Sequence, residues 1–387
     1  VFDDRYLGKP LVYCGTGGLM PAKISGEDCA VKKVEPGDLI VMAGGRIGRD
    51  GIHGATFSSE ELNEGSPVSA VQLGDPITQK KMQDFLMEAR DAMLIKAITD
   101  NGAGGLSSSI GGLAQMSNGC EIELDKALLK YPGLDPWEIL VSESQERMTL
   151  GIEPKNIGAL LELAERRGVE ASVVGRFTGS GKFIATYNGK TVAMLGMDFL
   201  HEGVPRMKLE AKWEKKVFAE PDFADERDQA PNLLALLARL NVCSKEHVVR
   251  QYDHEVKGGS VVKPLMGAEN DGPSDAAVMM PLLGSREGVV VSNGICPRYG
   301  DIDAYWMSAC AMDEALRNYV ATGGSLEKVA CLDNFCWPDP VKSEKTPDGE
   351  HKLAQLVRAN MALCDFAVSY RMPPISGKDS MKNDYAI

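Results

Sequence analysis

Gly44-Gly-Arg-Ile-Gly-Arg-Asp-Gly-Ile-His-Gly-Ala-Thr-Phe-Ser-Ser59 lies between the apolar run Leu39–Ala43 and an acidic helix start at Ser58–Glu61. Five glycines, two arginines, an aspartate and a histidine share this stretch. A strand that ends in glycines lets backbone amides approach an anion, because no Cβ blocks the way and positive φ is allowed. Arg46 and Arg49 add fork-shaped donors suited to phosphate or carboxylate, and His53 is either an anion donor, a general base or a turn residue. The stretch reads as a binding loop for an anionic, phosphorylated small molecule; the competing reading is a mobile surface loop.

Working outward, Pro36-Gly37-Asp38 turns into the strand Leu39–Ala43. Asp75-Pro76 starts a helix, with Asp75 as N-cap and Pro76 at the first helical position, where a missing N–H costs nothing. Met82, Phe85, Leu86, Ala89 and Met93 then fall on one helical face. Ile95–Thr99 leads to the glycine turn after Asp100 and a helix beginning near Ser107. Pro136–Val141 reads as a strand running into the polar interruption Ser142–Arg147, which faces a cleft. A helix at Pro154–Arg167 stops at Gly168, and a hairpin, Phe183–Tyr187 with Thr191–Leu195, turns at Asn188-Gly189. Strands alternating with helices predict an α/β (α+β) domain.

Residues 205–260 are charge-rich, with helical character at Leu233–Leu240, and read as a connector. A second unit follows: strands Ala276–Leu283 and Gly288–Ser292, a helix near Ala304–Thr322, a strand Val329–Leu332, a helix near Leu353–Val368 and a closing loop Pro373–Ser380. Residues 1–20 read as a strand, Pro10–Cys14, and a glycine turn. The chain opens on Val1 inside that strand region and reads as an excised portion of a longer polypeptide.

The 387 residues are 44% hydrophobic and 25% charged, an ordinary globular balance with room for two or three domains. No apolar run reaches the roughly 20 residues that span a bilayer. The net charge of −13 leaves no basic field for nucleic acid. The nine cysteines show no C-x-x-C pair, which argues against zinc and a disulfide framework and for a reducing, cytoplasmic compartment.

Singly, the polar candidates have bland readings beside functional ones. Asp100 is a strand-end carboxylate that suits Mg²⁺ beside a phosphate, or simply an Asx-turn. Glu314 and Asn318 lie four apart on one helix face, suiting a hard cation or merely facing solvent. Asp333 follows an apolar strand. Gly181-Lys182 fails the Walker pattern, because Arg176 and Phe183 stand where glycine and a hydroxyl residue are required. Together these carboxylates and glycine loops suit metal-assisted phosphate chemistry.

The opening stretch, with Val71-Gln-Leu-Gly-Asp-Pro76, Thr99-Asp-Asn-Gly-Ala-Gly-Gly-Leu106 and Leu140-Val-Ser-Glu-Ser-Gln-Glu-Arg-Met148, resembles the phosphoribosylformylglycinamidine synthase family. Gly272-Pro-Ser-Asp-Ala-Ala-Val278, Asp313-Glu-Ala-Leu-Arg-Asn318, Leu332-Asp-Asn-Phe335 and Ser376-Gly-Lys-Asp-Ser380 resemble its later motifs, so the likeness covers the whole chain. It implies tandem aminoimidazole ribonucleotide synthetase-like domains: residues 1–20 ending a first A-type domain, 21–204 a B-type domain, 205–260 a connector and 261–387 a second A-type domain.

The resemblance implies an ATP-dependent ligase of purine biosynthesis. It converts formylglycinamide ribonucleotide to its amidine with glutamine-derived ammonia from a fused or separate glutaminase. The resemblance places the family's catalytic histidines outside this chain, which as a central fragment would be inactive alone. Matched residue by residue, it implies substrate contacts at Gln72, Glu143, Ser144 and Gln145, and nucleotide contacts at Ser274, Asp333, Gly377 and Ser380. It further implies Mg²⁺ ligands at Asp100, Asp275, Glu314 and Asn318, with ATP as the nucleotide. Lys378 stands where some members carry a metal-binding asparagine, so either metal there relies on other groups or Lys378 itself touches phosphate. The resemblance also implies a homodimer through the A-type domain, because A-type domains of that superfamily pair edge to edge and an unpaired strand edge is a liability. The alternative is a catalytically silent nucleotide-binding or structural subunit.

Overall fold

The computed structural model describes residues 1–9, 15–52, 61–64 and 74–385. His53, Gln72, the strand expected at Pro10–Cys14 and most of the acidic helix start at Ser58–Glu61 lie outside the described residues. The chain separates into two compact units, one of Met20–Ser59 and Asn63–Met207, the other of Val1–Leu19, Glu60–Leu62 and Lys208–Ile387. Of residues 205–260, read from sequence as a connector, those from Lys208 onward cluster with the second unit.

The first unit is built on a seven-stranded mixed sheet. Its strands are β1 (Leu39–Gly44), β2 (Ala97–Asp100), β3 (Cys120–Glu123), β4 (Arg147–Ile152), β5 (Ala171–Phe177), β6 (Lys182–Tyr187) and β7 (Lys190–Gly196), in spatial order β2-β4-β1-β5-β3-β6-β7. Only β3 and β6 run parallel; the other neighbours are antiparallel. The helices are α1 (Pro76–Asp91), α2 (Gly105–Ser117), α3 (Pro136–Val141), α4 (Ile157–Arg167) and α5 (Met197–Glu202).

β1 is central and apolar on both faces, because each face is covered by helix. Ile40 and Met42 join a core with Leu106 and Ile110 of α2, Ile139 of α3 and Met197 of α5. Val41 and Ala43 point the other way, into a core with Phe85 and Ala89 of α1 and Leu160 and Leu163 of α4. Strand period two thus feeds two helical layers from one six-residue segment.

The expected caps and turns are present. The Asp75 carboxylate accepts from the amides of Ile77 and Thr78 at 3.1 and 3.2 Å. Gly168 ends α4 in the left-handed region, and Asn188 and Gly189, at φ 49° and 72°, turn the β6–β7 hairpin.

Pro136–Val141 is a helix, not the expected strand. Pro136 occupies the first turn, and the Asp135 amide donates to Glu138 Oε2 at 2.8 Å, half of a capping box. Local capping outweighs the apolar composition that suggested extended chain.

In the second unit, β8 (Ser260–Val262), β9 (Ala276–Met279) and β10 (Val289–Ser292) form an antiparallel sheet in that order. Helix α6 (Ala230–Leu237) precedes them, and α7 (Ala304–Ala321) and α8 (Gly349–Tyr370) follow. β11 (Cys331–Cys336) pairs in parallel with β12 (Pro374–Ser380). Two expectations change here. The segment expected as the loop Pro373–Ser380 is largely strand, and Asp333 sits inside β11, not after it. Ser-Gly-Lys-Asp-Ser has little intrinsic β-preference; pairing with β11, distant in sequence, makes it a strand. Ala304, Phe335, Trp337 and Ala359 form the core that joins both helices to β11. Among the described residues no helix is long and apolar enough to cross a membrane.

Candidate functional site

Three chain segments converge at one end of the first unit's sheet: the glycine loop after β1, the glycine turn after β2 and the Ser142–Glu146 loop before β4. Two glycines make the approach possible. Gly105, at φ +55°, has no space for a Cβ, which would run into the Ser142 carbonyl. A Cβ on Gly44, at φ +106°, would meet the Glu146 carbonyl and Met82 Sδ. Glu146 itself adopts φ +55°, an uncommon conformation for a side-chain-bearing residue, and its carbonyl accepts from Gly45 N at 2.9 Å.

The loops are stitched by hydrogen bonds. Gly48 N donates to Ser144 Oγ at 2.9 Å, and Ser142 Oγ donates to Gly48 O at 2.7 Å. Glu143 N donates to Asp50 O at 3.0 Å, while Ser144 Oγ donates to Asp50 Oδ2 at 2.5 Å. Lys130 pairs with the same Asp50 oxygen at 2.6 Å. Burial works against the Asp50 charge, but the Lys130 and Ser144 hydrogen bonds outweigh it and hold the carboxyl below its ordinary range.

Glu143 reaches the third segment: Gly104 N donates to Glu143 Oε1 at 3.0 Å. Two residues earlier, Gly102 N donates to Asp100 Oδ2 at 3.0 Å. Asp100 therefore makes the Asx-turn that sequence allowed, and it shares a glycine turn with Glu143. Of the expected substrate residues, Glu143, Ser144 and Gln145 stand together, with Gln145 Nε2 donating to the Glu143 carbonyl at 2.8 Å.

The two arginines of the opening stretch are engaged by carboxylates of this chain. Arg46 donates to both oxygens of Glu170, at 3.1 and 2.8 Å from Nε and 2.6 Å from Nη2. Arg49 pairs with Glu138 at 2.7 Å. These pairs tie the loop to Glu170 and to α3.

Asp50, Lys130, Ser142 and Arg147 escaped sequence reasoning. Asp50 lay inside the quoted stretch and Arg147 inside the Ser142–Arg147 interruption, but their roles arise from contacts 80 or more positions away in the chain for Asp50.

In the second unit the expected residues fall into two places. Asp333 and Gly377 are cross-strand partners on β11 and β12, and a Cβ on Gly377 would strike the Asp333 carboxylate. Burial raises the Asp333 carboxyl above its ordinary value, helped by the charge of Asp379. Ser380 is buried at the end of the same strand, opposite Cys336. Elsewhere, Glu314 Oε2 accepts from Ile295 N at 2.9 Å, and Asn318 Nδ2 donates to Asn293 O at 3.2 Å. Asp275 leaves the β9–β10 ladder at the same end as Asn293, since Ala276 pairs with Ser292. Ser274 N donates to Pro264 O at 3.1 Å.

The donor chemistry fits a hard cation. Asp100 and Glu143 offer carboxylates at one turn, and Glu314 and Asn318 keep a carboxylate and an amide oxygen on one helix face. Among the described residues no group of three or more His, Cys, Asp and Glu side chains is placed to hold a metal.

Residues 35–188 match the family described as AIR synthase related protein, C-terminal domain. The PurL subunit of phosphoribosylformylglycinamidine synthase from Thermoplasma acidophilum is 34% identical over 391 residues, 99% of this chain and 49% of the relative. The subunit of the same name from Ignicoccus hospitalis is 37% identical over 89% of this chain and 47% of the relative. This chain therefore spans about half the length of the curated relatives it matches. Among solved structures, T. maritima PurL complexed with FGAR superposes with a TM-score of 0.69 at 28% identity, covering 92% of this chain and 53% of that one. T. maritima PurL complexed with ATP gives 0.67 at 25% identity, with 92% and 51% covered.

Proposed function

This chain is a homologue of the PurL subunit of phosphoribosylformylglycinamidine synthase along its whole length, and from that kinship we propose that it serves the ATP-dependent conversion of formylglycinamide ribonucleotide to formylglycinamidine ribonucleotide. The formamide oxygen takes the γ-phosphoryl group of ATP. Ammonia adds to the activated carbon, and inorganic phosphate leaves as the amidine forms. The observation that carries this reading is the Ser142–Glu146 loop, held against both glycine segments in a chain similar to a PurL complexed with FGAR.

Glu143, Ser144 and Gln145, with Gln72, contact the ribonucleotide. Asp100, beside Glu143, is placed to hold Mg²⁺, which when bound neutralises phosphate charge. In the second unit Asp333, Gly377, Ser380 and Ser274 contact nucleotide, and Asp275, Glu314 and Asn318 hold an accompanying Mg²⁺. The missing Cβ of Gly377 makes room for the Asp333 carboxylate on the neighbouring strand, which keeps the two residues on one surface and supports this reading. A glutaminase, fused or separate, supplies ammonia in the cytoplasm, and the open edge of the second unit pairs with a copy of itself.

Thermal unfolding in the presence of formylglycinamide ribonucleotide tests the substrate assignment. Saturating ligand raises the melting temperature, by linkage of binding to folding, and the shift grows with concentration. No shift at millimolar ligand contradicts it.

A further inference from the structure

Arg147 is a buried charged side chain at the base of the Ser142–Glu146 loop that none of the preceding roles uses. It is only 3% exposed. Among the described residues it makes no ion pair; its partners are main-chain carbonyls, Ser144 O from Nε at 2.7 Å and Ser142 O from Nη2 at 2.6 Å. Nη1 lies 3.9 Å from Met42 Sδ, on the apolar side of β1. Burial pushes the guanidinium down to about 10, although the charge of the nearby Asp50 carboxylate opposes the shift.

A buried charge without a direct ion pair is expensive, even with Asp50 near enough to be felt, and apolar packing would stabilise the same space better. What it supplies is geometry. Arg147 opens β4 and pairs with Gly44, the last residue of β1, so its backbone is fixed by the sheet at the end where the loops converge. Its planar fork draws in two carbonyls two residues apart. With those oxygens turned inward, the Glu143 amide meets Asp50 O and the Ser144 amide meets Ser142 Oγ, at 3.0 and 3.3 Å. Glu146 is thereby held in its left-handed conformation, where the loop rejoins the strand.

We infer that Arg147 is a positioning residue: a guanidinium clamp that holds the Ser142 and Ser144 carbonyls from below, so that Glu143, Ser144 and Gln145 are ordered before ligand arrives. The part of this inference that concerns ligand rests on the substrate reading above; the ordering of the loop does not. Lysine cannot reproduce the clamp, because one ammonium lacks the rigid fork that spans both carbonyls.

The test compares Arg147→Met and Arg147→Lys with the parent chain by hydrogen exchange, together with titration of formylglycinamide ribonucleotide. In Arg147→Met the amides of Glu143 and Ser144 exchange at least about tenfold faster, while those of β1 and β5 keep their protection. Affinity for the ribonucleotide falls by about tenfold or more, and Arg147→Lys lies between the two. If Arg147→Met does not fold, Arg147→Lys decides by the same loop amides. Unchanged loop exchange in the folded variants overturns the clamp, as does unchanged affinity in a parent chain that binds. A parent chain that fails to bind the ribonucleotide sinks the substrate reading instead, and loop exchange still decides the clamp.

Discussion

Gly105 and Asp333 show how single residues set the two candidate regions. Gly105 combines positive φ with a position that leaves no room for a methyl group beside the Ser142 carbonyl. Gly105→Ala should cost on the order of 2 kcal/mol, because strain and the steric collision act together. A lowered melting temperature for the first unit checks this; an unchanged one refutes the close approach. Asp333 carries a carboxyl raised by burial and by the charge of Asp379. The folded state therefore holds that proton more tightly than the unfolded chain does. The resulting stabilisation is full below the ordinary carboxylate range and is lost as pH rises through the raised folded value. Asp333→Asn should remove this pH dependence and make the second unit more resistant to urea at neutral pH. Urea midpoints that fall with the substitution would contradict the assignment.

At the scale of elements, α3 is where sequence and structure part most instructively. Glu138 closes the capping box of α3 and also receives Arg49 from the glycine loop. Glu138→Ala removes both, and a loss of about 1–2 kcal/mol is expected in thermal or chemical unfolding. Loss within error would mean that α3 does not anchor the loop. Asp135-Pro136 repeats the Asp75-Pro76 signal that correctly started α1, yet the apolar Ile139–Val141 run pointed to a strand. Six residues are too few for helical periodicity to show, so only the cap carries the signal. The two-faced strand β1, the turns at Gly168 and Asn188-Gly189 and the long helix α7 were legible, because each depends on local chemistry or a sustained pattern. β12 was not, since its strand state comes from a partner about forty residues away. The site divides in the same way. Glycine loops and carboxylates announce themselves, whereas the pairings Arg46–Glu170 and Lys130–Asp50 join residues 124 and 80 positions apart.

For the whole molecule, the first unit has two apolar cores on one sheet, enough to stand as a cooperative domain. Residues 20–207 expressed alone should give a single sigmoidal urea transition with native-like circular dichroism; a gradual, non-cooperative loss would show that the unit depends on the rest of the chain. We propose that the Ser142–Glu146 loop reads formylglycinamide ribonucleotide. Isothermal titration of that ribonucleotide into the chain and into Gln145→Ala tests it most directly. Saturable one-site binding to the parent chain, weakened about tenfold or more by the substitution, is expected. Binding of equal strength to both, or none to the parent chain, would contradict it.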